Sequence, residues 1–179
     1  HGRGYVKNGD GKAAKFIASE FKKNNLLNFD TDFYQDYNFP INTFPSKINL
    51  EIEGESLEVA SDYVISCSNK STSGIFHLVY APDSINNDSL FLEFLDRTKL
   101  KSNDVLVVNF NTRMLYGKSI EGVKGIILKT DKIWWHVSGS KYLSNTFWLK
   151  VKKEFFEAKP KSIELSFSNE FKTAHKKQN

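Results

Sequence analysis

The tightest constraint on this chain is a strict alternation near its end, where Ile163, Leu165 and Phe167 are interleaved with Ser162, Glu164, Ser166 and Ser168. Side chains on a strand point alternately to its two faces, so this run presents one apolar and one polar face and needs a core to cover the first. A slip of one residue would turn every apolar side chain to water. Shorter runs of the same kind fill the middle of the chain. They are Ile48–Ile52, a turn at Glu53 and Gly54 returning near Leu57–Val59 as a hairpin, then Tyr63–Ser66, Ile75–Tyr80, Val105–Phe110, Ile126–Lys129 and Thr146–Val151. Earlier, Phe33, Gln35, Tyr37, Phe39 and Ile41 alternate with Tyr34, Asp36 and Asn38, and Pro40 and Pro45 close that strand.

Helical spacing starts at Asp10, whose carboxylate can cap free N–H groups of a first turn. Up to Asn24, the residues Ala14, Ile17, Ala18 and Phe21 share one face, and Lys12, Lys15, Ser19, Lys22 and Lys23 occupy the rest. Such a helix needs a partner surface, which Ala14 and Ala18 would let approach closely. Asn24 and Asn25 can take the left-handed backbone that ends a helix. A second helix is expected over Ser89–Leu100, carrying Leu90, Phe91, Phe94 and Leu95, and a third over Thr112–Val123, running into Gly125. The third lies between two strands and makes a strand–helix–strand unit, whose crossover favours parallel pairing. The fold class is therefore α+β and β-rich. Asn69–Gly74 reads as a polar loop, and the tail from Lys172 as polar and basic.

A chain of 179 residues makes one or two domains, and its one cysteine, Cys67, can form neither an internal disulfide nor a Cys-rich metal knot. No apolar run approaches the ~20 residues of a membrane span. The net charge of +4 is localised: Lys150–Asn179 holds eight Lys against four Glu, so the body upstream is neutral. Those lysines alternate with Glu and lack a stacking motif, which argues against nucleic acid as a partner. The opening His1, Gly2, Arg3, Gly4 contains neither an initiator Met nor a signal peptide, so the start is read as processed or cut.

Catalytic patterns are missing. None of His1, His77, His136 and His175 has an acidic residue or another His within four positions, so no metal-ligand motif is present. A cysteine hydrolase would need Cys67 to meet His77 or His136. The favoured reading is that Cys67 ends a strand as a small buried hydrophobe. There is no Gly-x-Ser-x-Gly elbow and no glycine-rich phosphate loop. The carboxylates Asp30, Asp32, Glu51, Glu53 and Glu55 read as the solvent side of strands and loops. What remains is an aromatic concentration, Trp134, Trp135, Tyr142, Phe147 and Trp148 around His136. Adjacent Trp134 and Trp135 on a strand must face opposite ways, so one enters the core and the other meets solvent or a partner. The candidate binding surface is accordingly Trp134, Trp135, His136, Tyr142 and Trp148, with no catalytic and no metal residue.

The opening His1-Gly2-Arg3-Gly4-Tyr5-Val6, then Asn8-Gly9-Asp10, Lys12-Ala13-Ala14-Lys15-Phe16-Ile17-Ala18, Phe21, Leu26, Phe33-Tyr34-Gln35 and Phe39-Pro40-Ile41-Asn42-Thr43-Phe44-Pro45 form a pattern over the first 45 residues. It resembles the start of secreted bacterial zinc aminopeptidases of metallopeptidase family twenty-eight, related to aminopeptidase Y and glutamate carboxypeptidase. Many members insert a protease-associated (PA) domain into the peptidase fold. Asp104-Val105-Leu106-Val107-Val108 followed by Lys118, Gly122, Val123, Gly125, Ile126, Ile127 and Leu128 is similar to the strand–helix–strand core of such an insert, with Gly-Val and an extra Lys124 where Gly-Ala is usual.

The resemblance implies residues 1–42 as the first helix and strand of a peptidase domain, 43–160 as a PA-type β sandwich or barrel, and 161–179 as a strand returning to the peptidase domain. It also implies that strands 33–41 and 162–168 lie side by side, burying Tyr37, Phe39, Ile163, Leu165 and Phe167 beneath Ile17 and Phe21. The family's zinc motifs, a His-x-Asp strand, a bridging Asp, a Glu-Glu pair and a further Asp and His, are not in this chain. The implied function is a non-catalytic region of an exported, periplasmic or extracellular enzyme, shaping or gating the substrate cleft or mediating protein interaction. Its partners would be its own peptidase domain and a peptide or protein substrate. Zinc would belong to the missing domain and no cofactor to this chain. The alternative is a free-standing β-rich module that binds carbohydrate or peptide through Trp134 or Trp135 and Trp148. An enzyme complete within the chain ranks last.

Overall fold

A computed structural model describes residues 8–28, 32–109, 120, 122–134 and 141–178. They form an α+β, β-rich fold of two compact units, one of residues 1–41 with 171–179 and one of residues 42–170.

In the smaller unit, helix α1 spans Gly9–Lys23. Its N-cap is Asn8 in the left-handed conformation, and Asp10, expected as the cap, sits in the first turn, where a carboxylate favours the positive end of the helix dipole. The other end is a Schellman closure. Asn25 has φ 54°, its N–H donates to Lys22 O (3.1 Å), and Leu26 N–H donates to Phe21 O (3.0 Å). Ala14 and Ala18 are buried, whereas Phe16 is 65% exposed, Ile17 39% and Phe21 37%. Phe21 meets Phe33 edge to face, with ring centroids 5.6 Å apart. Strand β1 (Gln35–Thr43) pairs with the last strand, β10 (Glu170–Gln178), in a two-stranded sheet. The polar, basic tail is thus a strand, ordered by its partner rather than by an apolar pattern of its own.

The larger unit is built on an eight-stranded sheet. Its strands are β2 (Asn49–Ile52), β3 (Glu55–Ser56), β4 (Tyr63–Ile65), β5 (Thr72–Tyr80), β6 (Asp104–Val108), β7 (Val123–Thr130), β8 (Phe147–Lys152) and β9 (Ser162–Phe167). The order is β3-β2-β9-β5-β6-β7-β8-β4, with β5 to β8 mutually parallel and the other pairings antiparallel. The hairpin expected at Glu53 and Gly54 is present. Both residues have positive φ (50° and 86°), as a type I′ turn requires, but the returning strand is only Glu55–Ser56. The alternating run 162–168 does not pair with β1. It lies between β2 and β5, where Ile163, Leu165 and Phe167 enter the core of this unit. On its other face, Glu164 and Ser166 stand across from Glu51 and Asn49.

Two apolar clusters occupy the two faces of the sheet. Val105 and Val107 belong to one with Leu50, Tyr63, Phe76, Phe147, Leu149 and Leu165, while Leu106 and Val108 belong to the other with Ile126, Phe91 and Ala81. All five residues of β6 are therefore buried, which is why Val105–Val108 is a continuous apolar run rather than an alternation. Helix α2 (Asp88–Arg97) covers the second face through Phe91 and forms the crossover between parallel β5 and β6. Asn87 caps it, its Oδ1 accepting from Leu90 N–H at 3.0 Å. The helix expected over 112–123 lies largely outside the described residues, but β6 and β7 are parallel neighbours, as its crossover required. Gly125 is no helix terminus: it lies inside β7, opposite Phe147.

Burial sets an alkaline limit on this core. Tyr63 is fully buried and its hydroxyl is pushed up to about 12; Tyr80, whose hydroxyl donates to Pro160 O at 2.8 Å, is raised to about 12 by burial and by the charge of Glu53. In the unfolded chain both ionise near 10. The neutral forms therefore favour the native state fully below pH ~10, and that contribution is lost as pH rises to ~12. Denaturant unfolding across this window should show stability falling by about 2–3 kcal/mol on account of Tyr63. Tyr63→Phe should flatten the slope, and an unchanged slope would contradict the assignment.

Candidate functional site

Strand β8 carries the aromatic candidates. Phe147, Leu149 and Val151 point into the first cluster, so Trp148, Lys150 and Lys152 share the other face. Trp148 is half-buried against the second cluster. Its backbone is held by a side chain: Asn69 Oδ1 accepts from Trp148 N–H, and Asn69 Nδ2 donates to Trp148 O, both at 2.9 Å. The segment read as a polar loop therefore contains a fully buried amide that continues the sheet's pairing beyond β4.

Two residues along from Trp148, Lys150 lies between Val64 of β4 and Leu128 of β7 in register. Its Nζ sits 3.1 Å from the ring centroid of Trp134, a cation–π contact. Burial between apolar neighbours holds its ammonium below the usual lysine range. Trp134 is 58% exposed, and Tyr142, ahead of β8, is 86% exposed. Trp135 and His136, the other two members of the expected surface, lie outside the described residues. Lys150 falls both in the basic C-terminal segment and in the strand expected over Thr146–Val151, whose alternation places it on the face of Trp148.

Three of the nearby lysines are paired. Lys129 Nζ is 3.3 Å from Asp83 Oδ1, which also accepts from Asn109 Nδ2 at 2.9 Å. Lys152 lies 3.2 Å from Asp62 and 3.9 Å from Glu154, and Lys153 lies 2.6 Å from Asp131. Asp62 is lowered first by the backbone N–H of Glu58 that it accepts, and then by Lys152; Lys153 is raised by its bond to Asp131.

One acid–base pair was not legible in the sequence. His77 Nδ1 and Asp104 Oδ1 are 3.3 Å apart, directly across the β5–β6 pairing, and Asp104 Oδ2 accepts from Lys101 N–H at 2.8 Å. The imidazole is 63% exposed and the carboxylate 10%, so Asp104 is a fixed acceptor that orients an accessible ring. The 27 positions separating them hid the pair. Cys67, half-buried and free, follows β4, and its carbonyl accepts from Asn169 Nδ2 at 2.8 Å. Among the described residues no three His, Cys, Asp or Glu side chains are grouped to hold a metal. No helix among them is long and apolar enough to cross a membrane.

No protein-family pattern and no curated protein matches the sequence. Solved structures do match in fold. A zinc aminopeptidase from Bacillus subtilis superposes with a TM-score of 0.56 at 15% identity, over 94% of this chain and 40% of that one. An aminopeptidase from Aneurinibacillus sp. strain AM-1 gives a TM-score of 0.51 at 15% identity, over 93% of this chain and 40% of that one. The chain thus spans 40% of the length of each aminopeptidase and shares the fold of a region of these peptidases.

Proposed function

We propose that this chain is a non-catalytic region of an exported zinc aminopeptidase of metallopeptidase family twenty-eight. Its smaller unit is the leading part of the peptidase domain. The larger unit is a PA-type insert that shapes access to the substrate cleft or engages another protein. The observation that carries the reading is a fold likeness covering nearly all of this chain but only 40% of two aminopeptidases. Helix α1 and the segment after it support it: Phe16, Ile17 and Phe21 of the helix are 65%, 39% and 37% exposed and Leu27 beyond it is 91% exposed, apolar surface that further polypeptide would cover. The two-stranded sheet of β1 and β10 supports it too, because a pair of strands is marginal until more strands or a helix pack on it. Zinc belongs, on this reading, to the remaining polypeptide.

The test is the coding sequence beyond Asn179 and the activity of its product. A His-x-Asp motif is expected within a few dozen residues. The longer protein should release amino acids from aminoacyl nitroanilides and lose that activity to a chelator, while the present chain should be inert. Chelator-sensitive hydrolysis by the present chain, or no such motif downstream, would overturn the proposal.

A further inference from the structure

We propose that His77, oriented by Asp104, is a nucleophilic site that accepts the acyl group of an aryl ester at Nε2 and passes it to water. Three strands place it. His77 of β5 stands in register with Asp104 of β6 on one side and with Ser162 of β9 on the other, and residues directly opposite one another share a sheet face. The Asp104 carboxylate, 10% exposed, is anchored through Oδ2 by the Lys101 N–H at 2.8 Å, and its Oδ1 lies 3.3 Å from His77 Nδ1. An ionised carboxylate only accepts, so the neutral imidazole carries its proton on Nδ1 and keeps a lone pair on Nε2, directed away from Asp104. Ser162 is too small to cover that side, and the ring is 63% exposed. One buried acid thus fixes both the tautomer and the orientation of an accessible nucleophile.

Ile75 supplies the contact that selects the ester. It lies two residues before His77 on β5, hence on the same face, and is 65% exposed. An aryl leaving group can rest on it while the carbonyl carbon meets Nε2. The Nε2–carbon bond forms as the bond from that carbon to the aryloxide oxygen breaks, and the aryloxide leaves. In the acylimidazolium so formed, the Nδ1–H keeps its hydrogen bond to Asp104, whose charge offsets that of the ring. Water then adds to the acyl carbon and the Nε2–carbon bond breaks. The sum is ester and water to carboxylic acid and phenol. This reaction is separate from peptide cleavage, in which the chain takes no part, and it lies wholly within the larger unit. Its failure would leave the aminopeptidase reading standing.

The experiment follows hydrolysis of p-nitrophenyl acetate by the full chain, with a chelator present, against free imidazole at equal concentration. The chain should be at least about tenfold faster. His77→Gln should lose most of that rate. Asp104→Asn, whose amide can donate to Nδ1 and shift the ring proton to Nε2, should lower kcat at little changed KM. Ile75→Ala should raise KM severalfold at unchanged kcat. Circular dichroism checks that each variant is folded. Because His77 and Ile75 are exposed, those two variants decide the matter if Asp104→Asn does not fold. A chain no faster than imidazole, a rate that folded His77→Gln retains, a folded Asp104→Asn with unchanged kcat, or an unchanged KM in Ile75→Ala would each overturn the proposal.

Discussion

Gly125→Val should destabilise the fold by more than about 3 kcal/mol, read as a fall in the urea midpoint at unchanged slope, and even Gly125→Ala should be clearly destabilising. The usual expectation has the opposite sign. A glycine inside a strand costs backbone entropy, and replacing it by alanine ordinarily returns about 0.5–1 kcal/mol. At this position a Cβ would fall within the ring of Phe147, meeting its Cε2, Cζ and Cδ2 atoms. That ring has nowhere to go: Phe147 is fully buried and packs edge to face on Phe76, centroids 5.2 Å apart at 67°. The two residues face each other across the parallel β7–β8 pairing, so the absent side chain of one is the space filled by the other. A double-mutant cycle gives the sharper test. Phe147→Leu alone should cost about 1–3 kcal/mol, but Gly125→Ala added to it should cost far less than in the unaltered background. Additive effects would show that the two positions do not share that space.

What the sequence revealed and what it concealed divides along the same physical line. Elements whose burial is written in their own pattern were readable: β9 from its alternation, β6 from its apolar run, α1 from its spacing, and the β2–β3 turn from a glycine placed where φ is positive. Elements defined by a distant partner were not. Gly125 looked like a helix end because nothing near it in sequence announces the ring of Phe147. Strand β10 carries Glu170, Lys172 and Thr173 with no apolar face to betray it, and it is a strand because β1 supplies its hydrogen bonds. The placement of β9 failed for a related reason. Its pattern demanded a core but could not say which, because the strands that flank it, β2 and β5, lie far from it in sequence. At the candidate surface, the sequence singles out Trp134, Tyr142 and Trp148 by their concentration in one stretch. The group that gives Trp134 its chemistry, the Lys150 ammonium, was masked by the many lysines around it.

Asn169→Ala should cost about 2–4 kcal/mol, and Asn169→Asp at least as much at neutral pH although the two side chains have nearly the same shape. The amide is buried and fully used. Its Nδ2 donates to Cys67 O at 2.8 Å and to Asn69 O at 2.6 Å, and its Oδ1 accepts from Asn42 Nδ2 at 3.1 Å. Alanine would leave two carbonyls and an amide without these partners away from water. Aspartate would be worse in kind, because a carboxylate would replace the donor and face those two carbonyls. Such a carboxyl would have its pKa raised, so its neutral form would favour the native state. Asn169→Asp should therefore regain stability as pH falls through the acid range, relative to the unaltered protein, whereas Asn169→Ala should show no such recovery. The consequence reaches the aromatic face. Asn169 fixes the carbonyl of Asn69, and the Asn69 side chain in turn holds both backbone groups of Trp148. Hydrogen exchange at the Trp148 N–H should accelerate in Asn169→Ala beyond what global stability predicts. If exchange there follows global unfolding alone, the loop from Cys67 to Ser71 does not depend on Asn169 for its shape, and Trp148 is held by the sheet without it.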